Sequence, residues 1–378
     1  MKKVIIIDDS ALMRRVLSDI IESDKRFILS DVASNGLEGL DLITPDIKKY
    51  DVIILDINMP RMNGIELLEK LNSQRIKIPV IIVSSIAKEG TQETIRCLEL
   101  GAFDFIKKPE SFMESKGENF RNRIIDMLAA ATGLESVRSR ASQQAAAAPV
   151  KEIKAPLPYD IKAEARKTVP YTKKYVRRPH VTVPLTAKRI VAIACSTGGP
   201  KALQTFMPML PQNLNAPIVL VQHMPGGFTA TLAQRLDELS RVQVREAKDG
   251  DILRNGNAYI AKGGNQMRII KAGGVYSISL TDEPPRNALK PCADIMYESL
   301  CELDYDEIVC VVLTGMGSDG MLGIAKLNEK HNLYVVTQDE ASSTVYGMPR
   351  AVKEVGLSDE VQPLDRIADA VTKIVGVR

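Results

Sequence analysis

Seven short runs of Val, Ile, Leu and their small companions constrain this chain more than any other feature. They are VIII at 4–7, VIIL at 52–55, VIIV at 80–83, IVAIAC at 190–195, IVLV at 218–221, IVCVVL at 308–313 and LYVV at 333–336. None alternates apolar with polar residues, so each predicts a strand buried on both faces. Helical patterns follow them, and strands of this kind separated by helices make a parallel sheet covered on both sides. Leu12, Val16 and Ile20 recur at i+4 spacing behind Ser10, which predicts a first helix with a serine N-cap. From Ala258 to Leu280 the pattern instead reads as hairpins, with turn signals at Asn255-Gly256 and Gly273-Gly274.

The runs fall into two blocks, and 378 residues is the length of two or three domains. Between the blocks lies AAAAP, repeated X-Pro steps, and from Arg138 to Arg189 13 Lys or Arg against three Asp or Glu, a local net +10. This composition predicts a flexible or Pro-stiffened tether, with a docking surface for an acidic partner as the other reading. The expected architecture is α/β: a doubly wound domain over 1–128, a linker over 129–187, and a second doubly wound domain with an antiparallel insertion over 188–378. The whole chain carries only +3, so no large field points to nucleic acid. Five cysteines without a C-x-x-C pair disfavour a disulfide framework and a zinc site. The early Asp8 and Asp9 do not fit a signal peptide, and no apolar run is long enough to span a membrane. A cytoplasmic, monomeric protein is the expectation.

In open parallel sheets functional groups collect at the carboxyl ends of strands. Asp8 and Asp9 end the first strand and Asp56 the third, so three carboxylates converge, and a hard divalent cation such as Mg2+ is the fitting partner. Ser84 and Lys108 fall at neighbouring strand ends, where a hydroxyl and an ammonium can meet a phosphoryl group. The stretches IDDSALMRR, LDINMPRMNG, IVSS and KKP resemble the receiver domain of bacterial two-component response regulators over about 1–125. That resemblance implies a flavodoxin-like fold, Asp56 as phosphoacceptor, Mg2+ held by Asp8, Asp9 and Asp56, and Ser84 and Lys108 on the phosphoryl group. Ser85 and Lys107 are the adjacent alternatives, and Phe105 matches the aromatic switch position.

The second block opens with IVAIACSTGGP, a buried strand that ends in Ser196 and turns through two glycines toward a helix starting near Pro200. Glycines let backbone approach a substrate, and a helix N-terminus favours developing negative charge. A nucleophile turn and a phosphate-binding loop share these features. Of three histidines, only His223 directly follows an apolar strand at the same sheet edge, as a base for Ser196 would. Asp319, in TGMGSDG after the next strand, is placed to orient the imidazole. Cys195 competes as a nucleophile, but strand alternation turns its side chain away.

The stretches ACSTGGP, VQHMP, LTGMGSDG and QDEASSTVYGMP are similar to the chemotaxis protein-glutamate methylesterase family (CheB type), over about 189–378. The resemblance implies a Rossmann-like esterase domain with Ser196 as nucleophile, His223 as base and Asp319 as its orienting acid. It also implies the Met316 N–H as an oxyanion donor and Thr197 as a residue holding His223. The implied reaction is hydrolysis of glutamate methyl esters on chemoreceptors, with deamidation of glutamines by the same acyl chemistry and no cofactor for that step. A histidine kinase would supply the phosphoryl group. The rivals are a receiver fused to a DNA-binding output domain and a receptor-binding scaffold without catalysis.

Overall fold

The computed structural model describes residues 1–84, 88–115, 117–134 and 174–378. Most of the predicted linker, 135–173, and also Ser85 lie outside the described residues.

The N-terminal domain runs β1 (Lys2–Ile7), α1 (Ala11–Glu22), β2 (Phe27–Ala33), α2 (Gly36–Ile43), β3 (Val52–Asp56), α3 (Gly64–Ser73), β4 (Val80–Ser84), α4 (Lys88–Glu99), β5 (Asp104–Lys107), α5 (Phe112–Ser115) and α6 (Glu118–Ala131). Its sheet is wholly parallel, in the order β2-β1-β3-β4-β5. The apolar runs in β1, β3 and β4 are at most 3% exposed, which is why they show no alternation. Ser10 caps α1, its Oγ accepting the Met13 N–H at 3.3 Å. The buried face of α1 is Val16, Leu17, Ile20 and Ile21. Leu12, predicted to join that face, is 56% exposed. It sits in the first turn, ahead of the buried residues that begin at Val16.

The C-terminal domain runs β6 (Arg189–Cys195), α7 (Gly199–Phe206), β7 (Ile218–Gln222), α8 (Phe228–Leu239), β8 (Gln243–Glu246), β9 (Asn257–Ile260), β10 (Gln266–Ala272), β11 (Val275–Thr281), α9 (Ala293–Ser299), β12 (Glu307–Val312), α10 (Met321–Lys330), β13 (Leu333–Gln338), α11 (Met348–Glu354), β14 (Glu360–Gln362) and α12 (Leu364–Val375). Seven strands form a parallel sheet in the order β14-β13-β12-β6-β7-β9-β8. Both doubly wound sheets expected from the sequence are therefore present.

The predicted hairpins reduce to one. Gly273-Gly274 turns β10 into antiparallel β11, but Asn255-Gly256 does not turn a hairpin, because β8 and β9 pair in parallel. Ala258, Tyr259 and Ile260 are all buried, the signature of a strand inside the large sheet.

The predicted tether is shorter at both ends. Helix α6 continues to Ala131, and Leu134 still packs on the N-terminal core. From residue 174 the chain lies along the C-terminal domain. Arg177 pairs with Asp359 at 2.6 Å and donates to Asn328 at 2.8 Å, Val181 and Asn332 exchange two hydrogen bonds, and His180 meets Glu307. Three of the basic residues counted toward a solvated tether, Arg177, Lys188 and Arg189, are instead partnered on this domain. Among the described residues no helix is long and apolar enough to cross a membrane.

The two domains touch through α4 and β5 on one side and α7 and α8 on the other. The rings of Phe105 and Phe228 lie 4.6 Å apart. Thr91 Oγ1 and Thr231 Oγ1 share a hydrogen bond at 2.9 Å, and Arg235 pairs with Glu99 at 2.5 Å.

Candidate functional site

Each sheet reverses its winding once, and such a switch point opens a crevice beyond the carboxyl ends of the strands. In the first sheet the reversal lies between β1 and β3. Asp8 and Asp9 follow β1, and Asp56 is the last residue of β3. One ligand oxygen from each lies within 4.8 Å of the others. Asp8 Oδ2 is buried and faces the Lys108 ammonium at 3.1 Å without a well-directed hydrogen bond. Burial, with Asp8 close by, pushes the Asp56 carboxyl up to about 6, although Lys108 opposes the shift. Lys108 Nζ stands 2.6 Å from Asp56 and 3.1 Å from Asp8, and its backbone N–H donates to Ser84 O at 2.7 Å. Lys107 points elsewhere, to Glu110 at 2.6 Å. Ser84 is buried at the end of β4, its Oγ accepting from Thr94 at 2.7 Å. Three convergent carboxylates with one under-satisfied oxygen match the donor set of a hard divalent cation.

In the second sheet the reversal lies between β6 and β12. Ser196 follows β6, and its N–H donates to Thr314 O, just past β12, at 3.0 Å. Gly198, at φ +75, carries the turn into α7 in a conformation open to glycine. His223 follows β7, anchored by its N–H to Cys195 O at 3.2 Å. Its Nε2 donates to Asp319 Oδ2 at 2.7 Å. Asp319 is buried, which alone would raise its carboxyl, but the hydrogen bond and charge of His223 and the N–H groups of Ala293 and Asp294 bring it down to about 2. Its Oδ2 also accepts the Ala293 N–H at 2.6 Å, and its Oδ1 the N–H groups of Asp294 and Gly320, each at 3.0 Å. With Nε2 engaged, Nδ1 is the imidazole nitrogen left for a serine. Among the described residues no hydrogen bond links Ser196 Oγ to His223, which fits a site without substrate. The N–H of Met316 has no acceptor among the described residues. Burial pushes the Cys195 thiol far above its usual range, so it is inert.

Thr197 departs from expectation. No hydrogen bond joins it to His223 among the described residues; its side chain lies beside the Asp104 carboxyl of the other domain, and its carbonyl accepts from Thr314 Oγ1 at 2.9 Å. The docking of β5 against this turn accounts for the difference.

Residues 191–371 match the model for CheB methylesterase, and residues 4–116 match that for the response regulator receiver domain. Over 375 residues the chain is 40% identical to the protein-glutamate methylesterase/protein-glutamine glutaminase of Bacillus subtilis, covering 99% of each chain. The chain belongs to this methylesterase family. The relative of the same description in Pyrococcus abyssi is 36% identical over 373 residues, 99% of this chain and 93% of that one. The crystal structure of the Thermotoga maritima CheB methylesterase catalytic domain is 38% identical, covers 50% of this chain and 100% of that one, and has a TM-score of 0.49. The first domain is thus a receiver and the second a methylesterase domain.

Sequence reading passed over two buried amides in the methylesterase domain. Gln222 Nε2 donates to Ser196 O at 3.1 Å and to His223 O at 3.4 Å, bridging the backbones of both residues. Gln338 Oε1 accepts the Thr314 N–H at 2.8 Å and secures the loop after β12. Their signal was a polar residue closing an otherwise apolar strand.

Proposed function

We propose that the chain hydrolyses the methyl esters of glutamate side chains on chemoreceptors, and deamidates glutamines there, under control of phosphorylation at Asp56. The reading is carried by one observation: at the switch point beside Ser196, a buried carboxylate saturated with donors holds the imidazole of His223 by Nε2.

The chemistry follows from that tautomer. Nδ1 takes the Ser196 Oγ proton as Oγ attacks the ester carbonyl, and the negative charge on the carbonyl oxygen is met by the Met316 N–H. The imidazolium, paired with Asp319, gives its proton to the departing methoxide, and methanol leaves an acyl-serine. Water, deprotonated by His223, then releases the free carboxylate. Glutamine follows the same course with ammonia as the leaving group.

In the receiver, Asp8, Asp9 and Asp56 would hold Mg2+, which supplies positive charge against the incoming phosphoryl group. Asp56 accepts that group from a histidine kinase, and Lys108 and Ser84 contact its oxygens. The receiver face of α4 and β5 lies against the Ser196–Thr197 turn, with Asp104 near Thr197 and Phe105 on Phe228. Phosphorylation shifts the population toward an undocked form that admits a receptor helix. The domain limits that support this account are 1–134 for the receiver and 174–378 for the methylesterase unit.

Methanol release from methylated receptor membranes tests the reading. Wild type is expected to release methanol and Ser196→Ala to release none above background; equal release by both would end it.

A further inference from the structure

Asp319 is held by an unusual closed circuit. It stands just ahead of α10 and accepts the N–H groups of Ala293 and Asp294, which open α9. Asp294, in the first turn of α9, returns the arrangement: its Oδ1 accepts the Gly320 N–H at 3.0 Å and the Gly323 N–H at 2.7 Å, which open α10. Each aspartate thus caps the helix that carries the other. The two helices meet nearly backbone to backbone, since a Cβ on Gly323 would lie 3.0 Å from Asp294 Cα and 2.7 Å from Tyr297 Cβ. Nothing larger than glycine at 323 would let Asp294 reach α10.

Resting on the esterase reading above, we infer that Asp294 is a positioning residue: by capping α10 it fixes Asp319, and through Asp319 the imidazole that serves Ser196. Both carboxylates are buried, and ligand atoms of Cys292, Asp294 and Asp319 lie within 4.8 Å of one another. A negative charge on Asp294 therefore also stabilises the imidazolium. Burial and the charge of Asp319 raise the Asp294 carboxyl well above the usual carboxylate range. The other charged groups near it are Glu298 and Arg286, which pair at 2.8 Å, Lys326, which also pairs with Glu298, and His223 beyond Asp319.

The test compares full-length wild type, Asp294→Asn, Asp294→Ala and Ser196→Ala in methanol release, with kcat and KM measured separately against pH. Asp294→Asn keeps the acceptor oxygen and loses the charge. It is expected to retain about a third or more of kcat, with the acid limb of kcat/KM moved to lower pH. Asp294→Ala loses the circuit, and its kcat is expected to fall at least roughly tenfold with KM little changed. Equal loss in both variants, or an unmoved acid limb in Asp294→Asn, overturns the inference. Should Asp294→Ala fail to fold, the acid limb of Asp294→Asn decides alone. If wild type and Ser196→Ala behave alike, the esterase reading fails; if they differ while the Asp294 variants match wild type, only this inference fails.

Discussion

The receiver and the methylesterase domain each bury an aspartate at the switch point of a parallel sheet, and they treat it in opposite ways. Asp56 is pushed up to about 6, whereas Asp319 is brought down to about 2. Burial raises both, so the difference lies in the donors. Asp319 is met by three backbone N–H groups and an imidazole. Asp56 has one backbone N–H and a shared lysine, with two further carboxylates nearby. The Asp319–His223 pair is assembled in advance, as a site that must meet developing charge without reorganisation requires. The receiver site is left short of positive charge, a deficit that suits its three carboxylates to a hard cation.

The contrast breaks most visibly at the saturated carboxylate. Asp319→Asn removes the charge that steadies the imidazolium and presents an amide to Nε2, so methanol release should fall by roughly 10³–10⁴-fold. A loss under tenfold would mean that the imidazole does not depend on this aspartate. On the other side, Asp8→Asn removes one of three charges from the receiver cluster, and calorimetric titration with Mg2+ should show affinity reduced by roughly tenfold or more. Unchanged affinity would show that the cluster does not hold the ion.

A third buried carboxylate sharpens the comparison at the boundary between domains. Burial lifts Asp104 to about 6 against the opposing hydrogen bonds of Phe105 and Thr197. To the extent that docking supplies this burial, the carboxyl keeps its proton in the docked form, so docking is favoured at low pH and weakens as pH climbs through about 6. Asp104→Asn is always neutral and should dock more tightly at pH 7.5, lowering unstimulated methanol release by roughly two- to tenfold relative to wild type. The ratio should return toward one near pH 4.5, and higher release by the variant at pH 7.5 would reverse the sign assigned here. The smallest effect belongs to the partly exposed Arg235–Glu99 pair. Arg235→Ala should raise unstimulated release about twofold, in line with the ~0.2–1 kcal/mol of such pairs, and high salt should erase the difference.

Much of this was legible in the chain because the information was local. Unalternated runs such as VIII at 4–7 and IVCVVL at 308–313 can be satisfied only by strands covered on both faces, and the polar residues that end them mark the sheet edge where Asp8, Asp56, Ser196 and His223 lie. What escaped reading depends on partners distant in sequence. The Asn255-Gly256 signal is a sound turn, but whether a turn makes a hairpin is decided by which strand its neighbour pairs with, and β9 pairs in parallel with β7 and β8. Basic residues between 174 and 189 look solvated until Asp359, Asp304 and Glu307, more than 100 residues away, accept them. Thr197 faces Asp104 only because the receiver docks, and the exchange of caps between Asp294 and Asp319 needs two helices brought within contact.

The central claim is that one domain's incomplete charge site governs the other's proposed catalytic site. Methanol release by full-length wild type and Asp56→Asn, each with Mg2+ and with or without a small-molecule phosphodonor, tests it most directly. The account predicts that the phosphodonor accelerates wild type severalfold and leaves Asp56→Asn unmoved; equal acceleration of both, or none in wild type despite phosphorylated Asp56, would contradict it.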